Sequence, residues 1–396
     1  MKVEKTDIEQ IKKQFEAITT KEDLVNLLNT AKVMLYGKDC HTILLKSITY
    51  YANPKFCKSR YQTFTIKKKS GKNRTIHSPT KGLKFILKIL NFILQCVYEP
   101  HAAATGFVKD KSIVDNAKKH IGNHYVFNID LKDFFHSFDR NRVKMGFYFQ
   151  PFNLKGDKEP IAFLLASLCT HPLEIDEKVK TVLPQGSPTS PTITNILCQK
   201  LDRRLNGLAK RFGATYTRYA DDITFSSQHN IYDTEEFQNE LTRIIEKDQQ
   251  LVINTKKTRL QQSDFRQETT GLVVNNKVNV RKKYVKQLRM WLYFWEKYGY
   301  EKAEQIFKRD YIADKGHTKN VKAHLVNVLD GKIEFLKMVK GKEDETYQKL
   351  KSRFDKLCGK KTQAQEEKID VENIVDTILE RGLDAGIELF DKFNNA

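Results

Sequence analysis

Three aspartates carry the chemistry this chain is equipped for. Asp130 ends the run Tyr125-Val-Phe-Asn-Ile-Asp130, which reads as a buried strand delivering a carboxylate at its tip, and Asp221 and Asp222 stand in Tyr219-Ala-Asp-Asp222 between two apolar stretches. Neighbouring carboxylates at strand ends repel one another, and a cation relieves the repulsion. Magnesium suits such a set because it prefers oxygen ligands and leaves room for substrate phosphates; two such ions about 3.5 to 4 Å apart clamp the attacking and leaving oxygens of a phosphoryl transfer. An isolated Asp-Asp pair would read as a solvated turn. The company it keeps argues for a site: a basic hairpin and a Pro-Gln-Gly loop before it, and lysines after it.

The elements that must position these acids follow from periodicity. Tyr61–Ile66 alternates like a strand, Lys69-Ser-Gly-Lys72 makes a turn and Arg74–Ile76 resumes the strand; seven Lys or Arg and no acid lie between Lys67 and Lys84. A helix buried on most sides is predicted from Gly82 to Tyr98, then small residues from Ala102 to Gly106 and a short helix from Ser112 to His120. Asn141–Thr170 is helical, interrupted around Pro151–Asp157, and one long helix follows Leu183-Pro-Gln-Gly186, with Ile193, Ile196, Leu197, Leu201, Leu205 and Leu208 on its apolar face. Strands at Thr215–Tyr219 and Ile223–Ser227 flank the acidic turn; a helix from Thr234 to Asp248 and short strands at Leu251–Asn254 and Thr270–Val274 complete an alternating unit. Two amphipathic helices are predicted before residue 50. Beyond Asn279 the pattern is helical, with Trp291, Tyr293 and Trp295 read as core, an exposed linker at Gly359–Lys368 and a closing helix pair.

Composition bounds the partners. The chain has 69 Lys plus Arg against 49 Asp plus Glu, a net charge of +20, so a polyanion is expected, nucleic acid first. With 40% hydrophobic and 11% aromatic residues it can bury a large core. Its six cysteines form no C-x-x-C pair, which argues against a zinc ribbon or disulfide framework. No apolar run is long enough to span a bilayer and the N-terminus is charged, so a reducing, cytoplasmic location with no membrane partner is expected.

From Tyr61 to Val274 the blocks, taken in order, resemble the reverse transcriptases, and within them the bacterial retron and phage-defence branch. Lys68-Lys-Ser-Gly-Lys-Asn-Arg-Thr-Ile-His-Ser-Pro-Thr-Lys-Gly-Leu-Lys84 is similar to the first fingers block, and Asn128-Ile-Asp-Leu-Lys-Asp-Phe-Phe-His-Ser-Phe138 to the palm strand with the first metal-binding acid. Leu183-Pro-Gln-Gly-Ser-Pro-Thr-Ser-Pro191 resembles the nucleotide-pocket loop, Tyr219-Ala-Asp-Asp222 the catalytic turn, and Leu251-Val-Ile-Asn-Thr-Lys-Lys-Thr258 the strand-turn after it. Asn116-Ala-Lys-Lys-His120 looks like an element of retron enzymes. Thr269-Thr-Gly271 stands where they tend to carry Val-Thr-Gly, so its first position departs, and Leu329–Lys342 resembles their thumb end.

The resemblance implies an α+β right-hand polymerase: a helical segment at 1–60, fingers at 61–125, a palm with an antiparallel sheet at 126–278 that carries a finger-like helical insertion at about 141–182, a helical thumb at 279–358 and a helical extension at 359–396. It implies RNA-directed DNA synthesis with two magnesium ions, with Asp130, Asp221 and Asp222 as the catalytic and metal-binding acids. For the dNTP it implies Lys72, Arg74, the backbone of Asp133 and Phe134, the steric gate Phe135, Gln185, Gly186 and Lys257, with Lys256 adjacent to the last; for RNA, Asn116, His120, Thr270 and Gly271. Implied partners are a noncoding RNA template, the DNA product and dNTPs, with an effector protein or a second copy of the chain as further candidates. A non-retron defence or mobile-element reverse transcriptase, and a catalytically silent RNA-binding protein, are the alternatives.

Overall fold

The computed structural model describes residues 4–67, 71, 73–315 and 323–359. Lys72 and everything from residue 360 onward, including most of the expected linker and the closing helix pair, lie outside the described residues. The chain divides into two units, Met1–Val278 and Asn279–Ala396.

In the first unit, three helices rather than two precede the hairpin: Lys5–Glu16, Lys21–Tyr36 and Leu45–Ala52. Ile11, Phe15, Leu24, Leu27, Leu28 and Ala31, spaced at three and four, are all buried in the main core with the apolar face of the helix Lys81–Val97. The basic hairpin is β1 (Tyr61–Lys67) and β2 (Asn73–Pro79), antiparallel from Tyr61 opposite Pro79 to Lys67 opposite Asn73.

The central sheet is built on β3 (Tyr125–Lys132). Preceding the sheet's remaining strands is a hairpin that the helical pattern did not anticipate, β4 (His171–Ile175) with β5 (Lys178–Val182). Its strands are only five residues each, and burial along them does not alternate. Next come β6 (Thr215–Tyr219) and β7 (Asp222–Ser227), then β8 (Val252–Ile253) and β9 (Arg259–Gln262); the order is β6-β7-β3-β8, with β9 sharing the same edge of β3. A small pair, β10 (Glu268–Thr269) and β11 (Leu272–Val273), follows.

The long helix predicted after Gly186 is two, Ser190–Leu197 and Gln199–Arg211, separated at Cys198, where ψ is 1°. The apolar spacing carries across the break: Ile193 and Ile196 before it and Leu201, Leu205 and Leu208 after it are all buried. The helix Glu235–Thr242 continues as a π-helical stretch over Arg243–Asp248.

In the second unit the helix Lys282–Lys315 is interrupted at Gly299 (φ 78°, ψ 169°), and helices Leu325–Lys340 and 345–359 follow. Trp291 stands edge-on to Phe307 at 5.0 Å, and Trp295 packs against Tyr300 and Phe354, so both indoles are core. Tyr293, predicted as core with them, is 47% exposed. It lies on the face of the helix that also carries Lys282, Lys286, Arg289 and Lys297. No described helix is long and apolar enough to cross a membrane.

Candidate active site

Strand register brings the acids together. Asp130 is directly opposite Asp222, and the amide of Leu131 donates to the carbonyl of Asp221 at 3.0 Å, so one acid of β3 meets both acids of the β6–β7 turn. Tyr219 pairs with Asp222, leaving Ala220 and Asp221 as a two-residue turn in which Ala220 takes φ 59°. Loss of water and then the nearby Asp130 raise the carboxyl of Asp221, while its own backbone amide, Lys257 and Arg74 oppose the rise. Asp222 is pushed up to about 6 by desolvation first, then by Asp221 and Asp130.

Asp130 is nearly buried and gripped: Asn254 Nδ2 donates to one oxygen at 2.8 Å and Lys257 Nζ to the other at 2.7 Å. That bond also raises the lysine's own pKa. Lys257 is therefore the lysine that reaches an active-site carboxylate. Among the described residues no three His, Cys, Asp or Glu side chains are drawn into one coordination set. The fit to a divalent cation rests on charge: three carboxylates share a strand end, and the two on the turn have raised pKa values that a cation would restore.

Around the acids, Arg74 is exposed on β2, and its charge reaches Asp221. Gln185 and Gly186 lie against the same strand: the His77 amide donates to the Gln185 carbonyl at 2.8 Å. Gly186 has φ +122°, and a Cβ there would stand 2.7 Å from the His77 oxygen, so only glycine fits. Asp133 is exposed in a left-handed conformation (φ 47°), Phe134 is buried and Phe135 half-buried.

The four residues expected at RNA fare differently. Asn116 and His120 are fully buried: Thr105 Oγ1 bonds to Asn116 Oδ1 at 2.7 Å, and the two ring nitrogens of His120 bond to Ser226 and Thr217 hydroxyls, each at 2.7 Å. Burial pushes the imidazole down to about 3, so it is neutral. Full burial leaves this pair no exposed surface for direct RNA contact and places it inside the sheet's packing; from sequence, a polar residue on or just after a short helix looks the same whether it faces water or a hidden partner. Thr270 is half-buried (φ 50°) and bonds to the Ile113 carbonyl at 3.4 Å, while Gly271 is exposed with open space beside it.

Sequence reasoning missed what stands behind the turn. Arg218 and Asp202 form a bidentate pair at 2.7 Å with side chains 0% and 1% exposed. Arg218 also donates to Asn195 Oδ1 and to the carbonyl of Ala220 at 3.2 Å, and Tyr216 donates to Asp202. Asn195 in turn holds the Gly106 carbonyl at 2.9 Å, and a Cβ on Gly106 would lie 2.4 Å from the Ala220 nitrogen. A guanidinium within the otherwise uncharged strand Thr215–Tyr219 was the available signal. Asn254 was likewise passed over, although it stands three residues before Lys257 in one turn.

Residues 66–286 match the reverse transcriptase (RNA-dependent DNA polymerase) family. The chain is 35% identical over 238 residues to the Retron Ec86 reverse transcriptase of Escherichia coli, covering 58% of this chain and 68% of that one. It is 40% identical over 240 residues to the Retron Mx162 reverse transcriptase of Myxococcus xanthus, covering 55% of this chain and 47% of that one. Among solved structures, a telomerase from Candida albicans is similar with a TM-score of 0.43 at 12% identity, over 75% of this chain and 63% of that one.

Proposed function

Because the chain belongs to the reverse transcriptase family and is an RNA-directed DNA polymerase of the retron kind, we propose that it copies a cognate structured noncoding RNA into DNA at the site built by Asp130, Asp221 and Asp222. The carrying observation is the register that sets Asp130 against Asp222 with Asp221 beside them. The fingers are 61–125, the palm 126–278 and the thumb 279–358.

Asp130 and Asp221, with Asp222 beside them, would hold two magnesium ions. Bound there, magnesium neutralises the crowded carboxylates, lowers the pKa of the primer 3′-hydroxyl and stabilises the departing pyrophosphate. The chain's own side chains do the positioning. Arg74 meets the incoming triphosphate with a planar fork, and Lys72 assists. The amides of Asp133 and Phe134 face the phosphates, Gln185 and Gly186 line the nucleotide, and Phe135 excludes a 2′-hydroxyl by bulk. Lys257, bonded to Asp130 at 2.7 Å, keeps that carboxylate aimed.

Lys282, Lys283, Lys286 and Arg289 line an open groove of ≈ 920 Å³ within the second unit. Cations on a helical face suit a nucleic-acid backbone and reward phosphates without reading sequence. We assign the RNA partner to this face, and assign the system an antiphage role.

The test is purification of the full chain with its locus, beside Asp221→Asn. Expected is one short RNA with its complementary DNA, the DNA absent from the variant, and primer extension with Mg²⁺ lowered by about a thousandfold or more. RNA recovered without acid-dependent DNA would move the chain to the silent RNA-binding reading.

A further inference from the structure

Phe107 belongs to none of the recognised blocks, and its placement is costly. It takes φ 61°, a left-handed conformation that bulky side chains rarely adopt and that persists only where the surroundings over-determine it. The surroundings do so. The Thr105 amide donates to the Arg218 carbonyl at 2.8 Å, the Gly106 amide reaches the same oxygen at 3.4 Å, and buried Asn195 grips the Gly106 carbonyl. The loop is thereby locked onto the back of the catalytic turn, one residue before Phe107.

The ring so delivered is 38% exposed, so core burial does not explain it. Its centroid lies 6.2 Å from Phe135 and 6.5 Å from Tyr219, both within the range of aromatic pairs. Phe135 also meets buried Phe134 at 5.8 Å, which is itself held edge-on by Phe138 at 5.2 Å. The half-buried ring of Phe135 thus has two aromatic neighbours, a core phenylalanine and Phe107. A ring excludes a hydroxyl by bulk only if it cannot swing away, and packing against neighbouring rings restricts that freedom.

We propose that Phe107 is a specificity-determining residue: its ring backs Phe135 and holds it against the 2′ position of the incoming sugar, so that deoxynucleotides are selected over ribonucleotides. The inference rests on the reading of Phe135 as the gate. It gives the loop after Ala102 a part in substrate choice, with Phe107 as a positioning residue.

The experiment is single-nucleotide addition by the full chain on an RNA template with a DNA primer, comparing kcat/KM for a dNTP and the matching rNTP. Phe107→Ala is expected to lower the dNTP-to-rNTP ratio by about tenfold, Phe135→Ala by more, and Phe107→Tyr to restore the ratio. Thermal melting of each variant separates a folding defect from a selectivity change, and Phe107→Leu serves if the alanine variant does not fold. If Phe135→Ala lowers the ratio while Phe107→Ala and Phe107→Leu leave it unchanged, or reduce both nucleotides in equal proportion, the proposal is overturned and the gate survives. If Phe135→Ala leaves the ratio unchanged, the gate reading itself falls and the proposal with it.

Discussion

At the tip of the β6–β7 hairpin, Asp221 and Asp222 sit side by side with carboxyls driven upward by lost water and mutual repulsion. Three residues before Asp221, Arg218 is fully buried, with Asp202, Asn195 and the Ala220 carbonyl accepting from its guanidinium. The two places share a strand and a turn yet treat charge in opposite ways. Behind the turn every arm of a buried cation has an acceptor, because an orphaned charge there would cost several kcal/mol. At the tip, among the described residues, no side chain hydrogen-bonds to the carboxylate of Asp221 or Asp222, whereas the oxygens of Asp130 take Asn254 and Lys257. Satisfied charge holds a shape, and unsatisfied charge waits for a ligand.

The strongest way to break that contrast is to orphan the rear pair. Arg218→Met strips buried Asp202 of its partner, and urea unfolding should show a loss of about 3 to 5 kcal/mol. Arg218→Met with Asp202→Leu should recover much of the stability, yet primer extension should stay low because the Ala220 carbonyl has lost its donor. Wild-type activity in the double variant would show that the pair only fills space.

A smaller effect sharpens it. His120 is held neutral, its pKa lowered from 6.5 to about 3. A group depressed on folding contributes stability that is present above its unfolded pKa and lost as pH falls toward the folded one. Between pH 7.5 and pH 5 the wild type should lose about 2 kcal/mol through this group. His120→Gln should lack that share of the loss, and parallel urea curves across this range would remove the basis for it.

The smallest effect is at the tip, where solvent screens the charges. Asp222 is raised from 3.8 to about 6, so ionising it works against the fold, and stability falls as pH rises through that window. Without divalent cation, Asp222→Asn should melt roughly 1 to 3 °C above wild type at pH 7.5 and level with it at pH 4. Mg²⁺ should raise the wild type and narrow the gap; a gap unaffected by Mg²⁺ would count against cation binding at this turn.

The front of this contrast was legible in the sequence and the rear was not. Asp130, Asp221 and Asp222 stand at the ends of apolar runs, so their strands could be read locally, and their meeting followed from the resemblance of the blocks in order. Gln185 and Gly186 follow the same logic, since a Pro-Gln-Gly loop advertises a turn. Arg218 meets Asp202 across sixteen positions and Asn195 across twenty-three, and no local pattern reports such a partnership. For the same reason the resemblance that gave Asn116 and His120 to RNA carries no sign of their burial. The break at Cys198 escaped because apolar spacing records which side is buried, not whether the backbone stays helical across it.

The contact between Gly106 and Ala220 also bears on how such enzymes can be recombined. A side chain at Gly106 would collide with the backbone nitrogen of Ala220, more than a hundred positions downstream. The loop and the acidic turn are thus a single heritable piece split in two along the gene. Chimeras that exchange one half between relatives, with crossovers placed at motif borders, would inherit a mismatch that neither parent carries. Crossovers that move both halves together keep the seam intact.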